Sequence, residues 1–552
     1  MAKRHPTLSS NFLFSEVPRI NIPRSSFPRQ HTYSSTLDAD YIIPFYAEEV
    51  LPGDTISTKA NVFIRLNSAT VVPIIDNIYL DTYFFYVPNR ILWKHWVNMN
   101  GERERIDVDP TDVYTVPQVN SGTTGFGIQS LFDYLGIVPN VPNISVSALF
   151  PRAYNKIYNW YFRDENLINP VLDNINDTGD SPDDYPLLKA AKYHDYFTSA
   201  LPSPQKGKPV QLNLAGTIPV TGNGLGLGLT TGTSISTPGL TMVSYNPPGY
   251  NYGAAFGTYH NTKLPFTQAP TDITNGQVIG ITTSQNGSSG LVGHLTGATA
   301  ITVNALRELF QLQRVKEKDN RGGTRYQEMI LTHFGVISPD GRQQIPELLF
   351  AKTNRLFVNP VVQTSGTTNT SPQGNLSGYV VGHCDINGFS KSYTEHGVIL
   401  GLAVIRTDNK YQQGVPRKFS RKTRYDFYLP ALAHLGEQAI LNKEIYAQGN
   451  SQDEVVFGYQ ERWAEYRYSE NKITGKLRSN STDPSESLDI WHLGQNFSSL
   501  PVLNQSFIES NVPIKRIIAV TDEPAFIMDA FFTENFVRPM PLRSVPGLVD
   551  HF

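Results

Sequence analysis

The sequence predicts a mainly β protein, a β-sandwich carrying long insertions, and three observations carry that prediction. Turn-forming residues run the whole length of the chain, with 42 Gly and 38 Pro among 552 residues. This distribution suits many short strands joined by turns and disfavours a helical bundle. Short β-branched runs recur far apart, each bounded by polar turn residues. Only two segments show a sustained helical period.

A chain of 552 residues exceeds one minimal core, so it holds either several domains or one domain with large insertions. Residues 1–45 come first. Pro18, Pro23 and Pro28 interrupt a segment bearing Arg19, Arg24 and Arg29, which excludes a helix or a central strand. The segment reads as an extended arm, with Arg19, Arg24, Phe27 and Arg29 as candidates for wrapping a neighbouring subunit.

Residues 46–200 form the first part of the core. After LPGDT at 51–55, Ala60, Val62, Ile64 and Leu66 alternate with Asn61, Phe63 and Arg65, the period of a half-buried strand. The run YFFYVPNRILW at 83–93 opens with aromatic residues on both faces, as in a strand with neighbours on each side. From about Ser147 to Arg163, Leu149, Ala153, Ile157, Trp160 and Tyr161 recur at helical spacing. The second helical segment runs from Thr302 towards Lys318, with Leu306, Leu309, Phe310 and Gln313 in one stripe and Thr302 placed to cap it.

Residues 201–300 differ in kind, being rich in Gly, Thr, Ser, Asn and Pro and nearly free of charge. They read as one surface insertion, since each doubling of a flexible loop costs only about 0.6 kcal/mol in closure entropy. Residues 301–552 return to the core and end in a C-terminal arm. Here GVILGLAVIRT at 397–407 and IKRIIAVTDE at 514–523 read as strands. No fixed-period repeat or heptad series appears.

Charge is nearly balanced, with a formal net of -3, so any nucleic-acid contact must use a local basic patch. A single cysteine, Cys384, cannot form an intrachain disulfide, and stability must come from packing and association. The opening MAKRHPTLSSNFLF lacks the apolar stretch of a secretory signal, and no window is apolar enough to span a bilayer.

Catalytic readings are weak. The series Gly222, Gly224, Gly226 and Gly228 is followed by no Lys-Ser/Thr pair and no helix pattern, so it is a flexible or hairpin-rich loop rather than a phosphate cradle. His383 and Cys384 adjoin, yet strand neighbours point to opposite faces. Glu395 and His396 lack a partner at metal-ligand spacing. No cofactor is expected, and the sequence leaves open whether a metal ion is bound. Scattered carboxylates keep one enzyme alternative alive, a carbohydrate-binding or carbohydrate-cleaving sandwich.

The densest positive run is Arg417, Lys418, Arg421, Lys422 and Arg424, followed at once by Tyr425, Phe427 and Tyr428. Cations that neutralise phosphates beside rings that stack bases are what sequence-tolerant single-strand binding requires. The bland alternative is a set of ion pairs or a solvated loop.

Read in order, several segments resemble the major capsid proteins of the gokushoviruses, microviruses of bacteria. They include NIPRSSFPRQHTYSSTLDADYIIPFY at 21–46, LPSPQKG at 201–207, RGGTRY at 321–326, PQGNLSGY at 372–379, SRKTRYDFYLPALAHLGEQAILNKEIYAQG at 420–449 and the closing RPMPLRSVPGLVDHF. The resemblance implies an eight-stranded antiparallel jelly roll and no enzymatic activity. It further implies sixty copies in a T=1 icosahedral shell around a circular single-stranded DNA genome. The partners it implies are a small basic DNA-packaging protein, a pilot protein, an internal scaffolding protein and a host surface receptor, with assembly in the bacterial cytoplasm. The 201–300 insertion, with Gly222, Gly228, Tyr245, Tyr250 and Tyr252, would then form a three-fold protrusion that meets the host.

Overall fold

A computed structural model describes residues 23–103, 113–211, 302–368, 372–479 and 487–543, together with the backbone of four short strands between 220 and 293. The chain divides into two units, Met1–Gly207 with Lys316–Phe552, and Lys208–Val315.

Eight strands frame the first unit: β1 (Ser25–Leu37), β2 (Ile43–Val50), β3 (Thr55–Leu66), β4 (Ile78–Pro88), β5 (Glu347–Val362), β6 (Leu376–Ser392), β7 (Gly397–Thr407) and β8 (Phe526–Arg538). All their pairings are antiparallel, in the order β1-β8-β3-β6 and β2-β7-β4-β5. β5 links the two sheets, pairing with β4 through Leu356 and with β6 from Phe357. This strand order is that of a jelly roll.

Alternation builds the inner core. In β3, Ile56, Ala60, Val62, Ile64 and Leu66 are buried, while Asn61, Phe63 and Arg65 face outward. In β8, Phe526, Met528, Ala530, Phe532 and Phe536 do the same. They meet Ile78, Leu80 and Phe84 of β4 and Ile399, Ala403 and Ile405 of β7. β7 is buried along nearly its whole length, because Val398, Leu400, Leu402 and Val404 point into a second cluster on the far side of the sheet. That cluster holds Phe85, Val87 and the helix α1 (Leu149–Ile157), which continues into a π turn at Tyr158–Phe162.

A third cluster, with Tyr196, Phe197, Ile440, Ile445, Phe457 and Phe507, supports the long connection between β7 and β8. Gly388 marks a bulge in β6. Its φ is +65°, and a Cβ there would lie 1.6 Å from the Thr58 carbonyl oxygen, so only glycine fits.

In the second unit, Val220–Gly222 pairs with Leu291–Gly293 and Gly228–Thr231 with Ile279–Thr282. The helix α2 (Val303–Arg321) begins where expected, with Thr302 Oγ1 accepting from Ala305 N at 3.1 Å.

Two expectations need correction. Within the segment expected as an extended arm, residues 25–37 are a barrel strand paired along its length with β8, and residues 1–22 lie outside the described residues. Pro28 is tolerated because β1 is an edge strand whose one neighbour is β8. IKRIIAVTDE at 514–523 is no strand either. Ile514–Arg516 is a 3-10 turn, and Ile514, Ile517 and Ile518 are buried by packing onto the barrel core. The strand that closes the barrel follows at β8.

Candidate nucleic-acid interface

The basic run lies on the connection that follows β7, with short 3-10 turns at Arg417–Phe419 and Arg424–Asp426 and a third after it at Pro430–Leu432. A two-stranded ladder, Gln438–Leu441 with Val456–Gln460, backs it and is anchored by Ile440 and Phe457 in the third cluster. The middle turn forms because Asp426 reaches back to cap it. The backbone N–H groups of Thr423 and Lys422 donate to Asp426 Oδ2 at 2.6 and 2.9 Å. Those bonds, the Thr423 N–H foremost, hold the Asp426 carboxyl below its ordinary range.

The six predicted contact residues separate into two sets. Arg417 and Arg421 turn inward. Arg417 donates to the Ala439 carbonyl at 2.7 Å and pairs with buried Glu444 at 3.1 Å. Arg421 pairs with Glu465 at 3.2 Å and lies 4.4 Å over the Tyr466 ring. Lys418, Lys422, Arg424 and Tyr425 are exposed. Lys418 faces Lys472, and that contact depresses its ammonium pKa. Phe419 and Tyr425 expose 72% and 64% of their surface, enough to leave a ring face free for stacking.

The fold brings to this run residues that the sequence reading passed over. A cleft of about 290 Å³ is lined by Arg417, Arg421, Lys422, Tyr425, Lys443 and Arg462, among others. Lys443 is paired with Glu454 at 2.7 Å. Arg462 lies 5.0 Å over Trp463, and its buried Nε has no acceptor, nor has that of Arg421. Trp463 sits in the left-handed region with φ 65°, a strained setting for a bulky side chain. Nothing in the local sequence VFGYQERWAEYRY marks Arg462, since it joins the site only through the ladder.

The other candidates fall elsewhere. Arg24 donates to Thr55 Oγ1 at 2.6 Å and to the Val537 carbonyl at 3.2 Å. Phe27 packs on the barrel core, and Arg29 binds Glu48 and lies 4.4 Å over Phe536. All three are thus engaged within the chain, and Arg19 lies outside the described residues. Gly222 and Gly228 belong to short strands, while Tyr245, Tyr250 and Tyr252 lie outside the described residues.

His383 is exposed and Cys384 is buried on the opposite face, where burial raises its thiol pKa to about 11. Glu395 is paired with Arg90. A cavity of about 560 Å³ contains Glu165 and Glu328. Both carboxylates are tied to Arg325, and Asp164 on the same wall accepts from the Asn166 and Leu167 N–H groups, so none of the three presents the free acid and base that glycoside cleavage needs. Among the described residues no cluster of three or more His, Cys, Asp or Glu is placed to hold a metal ion, and no helix is long and apolar enough to cross a membrane.

Comparison with known proteins decides the family. The model of the capsid protein (F protein) family matches residues 15–548. The chain belongs to this capsid protein family. Among its relatives, the capsid protein VP1 of Bdellovibrio phage phiMH2K is 43% identical over 549 residues, covering 98% of both chains. That of Chlamydia phage 1 is 40% identical over 609 aligned positions, covering 99% of both. That of Spiroplasma virus 4 is 36% identical, covering 97% of both. The capsid family carries a structural role, which displaces the carbohydrate-cleaving alternative.

Proposed function

We propose that this chain is the major capsid protein of a small bacteriophage and forms, in sixty copies, a T=1 shell around a circular single-stranded DNA genome. The observation that carries this reading is the match of one capsid family over almost the whole chain, barrel and connections together. Association draws on many modest symmetric contacts, since each buried Å² of apolar surface contributes only about 25 cal/mol. Electron microscopy of the purified full-length chain, and of virions, tests it. Closed isometric shells are expected; a solitary soluble chain under all assembly conditions contradicts it.

Within that shell, Lys418, Lys422, Arg424 and Tyr425 meet the genome on the inner wall. The partners of assembly are a small basic DNA-packaging protein, an internal scaffolding protein and a pilot protein, acting in the bacterial cytoplasm. Residues 201–300 contribute to attachment at a host surface receptor. Exchanging them between relatives should move host range and leave particle yield unchanged; loss of particles makes the segment structural instead.

A further inference from the structure

We infer that the cleft beside the basic run is a phosphate-binding pocket for single-stranded DNA, in which Arg462, Arg421 and Lys422 hold one backbone phosphate while Tyr425 stacks a base at the rim. The inference rests on the reading that this surface meets nucleic acid, and it adds a position and an anchor residue to it.

Arg462 carries the argument. It makes no hydrogen bond or ion pair to any described residue, and its Nε is buried without an acceptor. Arg421 leaves its Nε in the same condition, although its other end is held by Glu465. Arg421 and Arg462 line the same cleft, and the guanidinium of Arg462, claimed by no carboxylate among the described residues, is matched by an anion with several acceptor oxygens. The backbone that presents Arg462 is itself strained at Trp463, and that residue is held by its neighbours. Its N–H donates to Gln438 Oε1 at 3.3 Å, and its ring packs edge-on to Tyr428 and Tyr466 at 5.7 and 6.1 Å.

The remaining charges agree. The acidic lining residues are already engaged: Asp426 by two backbone N–H groups, Glu444 by Arg417 and Glu454 by Lys443. Lys422 and Arg462 have no carboxylate in ion-pair range among the described residues, which leaves the cleft locally positive. Its volume of about 290 Å³ equals that of roughly ten waters at about 30 Å³ each, room for a phosphate with part of its sugar. Exposed rings on the adjoining turns favour a nucleotide over an acidic peptide, because each base offers a face to stack.

The test is fluorescence anisotropy of a labelled short oligothymidylate titrated with the full-length chain at several salt concentrations. Arg462→Gln should weaken binding about tenfold and reduce the magnitude of the salt slope by about 0.7, the share of one phosphate on a single strand. Arg462→Lys should restore part of the affinity. If thermal melting shows that Arg462→Gln has lost its fold, Lys422→Gln takes its place, being exposed, with the same expected slope change. An oligothymidylate that the wild-type chain does not bind overturns the genome-facing reading itself. Binding that weakens with Arg424→Gln but is unchanged by Arg462→Gln and Lys422→Gln overturns the pocket alone. Displacement by polyglutamate at lower concentration than by unlabelled oligothymidylate assigns the cleft to an acidic peptide and also overturns it.

Discussion

The two sheets of the barrel share one core yet differ in what lies behind them. β2-β7-β4-β5 is backed by its own second layer, with α1 and the 113–190 region packed onto it. β1-β8-β3-β6 presents its outer face to solvent, including Phe63 at 44% and Phe357, on the adjoining part of β5, at 61% exposure. The difference is written in the strands: β7 is apolar at almost every position, whereas β3 alternates. A strand covered on both faces has no polar side to keep, and a strand covered on one must keep it.

The largest effect expected from this contrast lies in the covering layer. Arg152 of α1 is buried with Asp180 and also donates to the Leu92 and Asn176 carbonyls. Arg152→Met leaves Asp180 charged and unpaired, and should cost about 3–5 kcal/mol in urea unfolding. Phe85→Ala, which removes a fully buried ring from the same layer, should cost about 3–5 kcal/mol as well. On the bare face, Phe63→Ala should stay within about 0.5 kcal/mol. Comparable losses at Phe85 and Phe63 would break the contrast.

A pH effect of intermediate size is expected inside the bare sheet. Glu534 is buried in β8, with Arg29 and His31 each 3.6 Å away and the Tyr46 hydroxyl as its near neighbour. Burial outweighs those cations and raises its pKa. A carboxyl whose folded pKa lies above its unfolded one contributes stability that is full below the unfolded value and lost as pH rises through the folded value. Unfolding free energy should therefore decline on raising the pH through that window, and Glu534→Gln should flatten the decline.

A smaller effect belongs to the basic surface. Burial, with Glu444 nearby, pushes the Glu470 pKa up to about 7, in the neighbourhood of Lys472 and Lys418. Above that pH it becomes an anion beside the cations, so oligothymidylate affinity should fall a few-fold as pH rises through about 7. Glu470→Gln should remove the dependence; an unchanged profile would place the source elsewhere.

The contrast between the sheets also explains what was legible in the sequence. β3 and both helices announce themselves through periods of two or 3.6, and β7 and the aromatic opening of β4 through unbroken apolar runs, because burial on one face or on both imposes those patterns on adjacent residues. β1 is masked by Pro28, which an edge strand can carry, and by Pro18 and Pro23 just before it. The apolar run at 514–523 misled because Ile514, Ile517 and Ile518 pack on the core without joining a ladder. Half of the candidate site was visible as the run from Arg417 to Tyr425. The inward turn of Arg417 and Arg421 was not, since the carboxylates that claim them, Glu444 and Glu465, lie more than twenty residues further along the chain. Arg462 was invisible for the same reason.

The most direct test is a reconstruction of the DNA-filled particle. The cleft formed by Arg421, Lys422, Lys443 and Arg462 is predicted to open on the inner wall, with nucleic-acid density against it and against the Tyr425 ring. A closed shell in which this cleft opens to the outside, or is filled by a neighbouring subunit, would contradict the account.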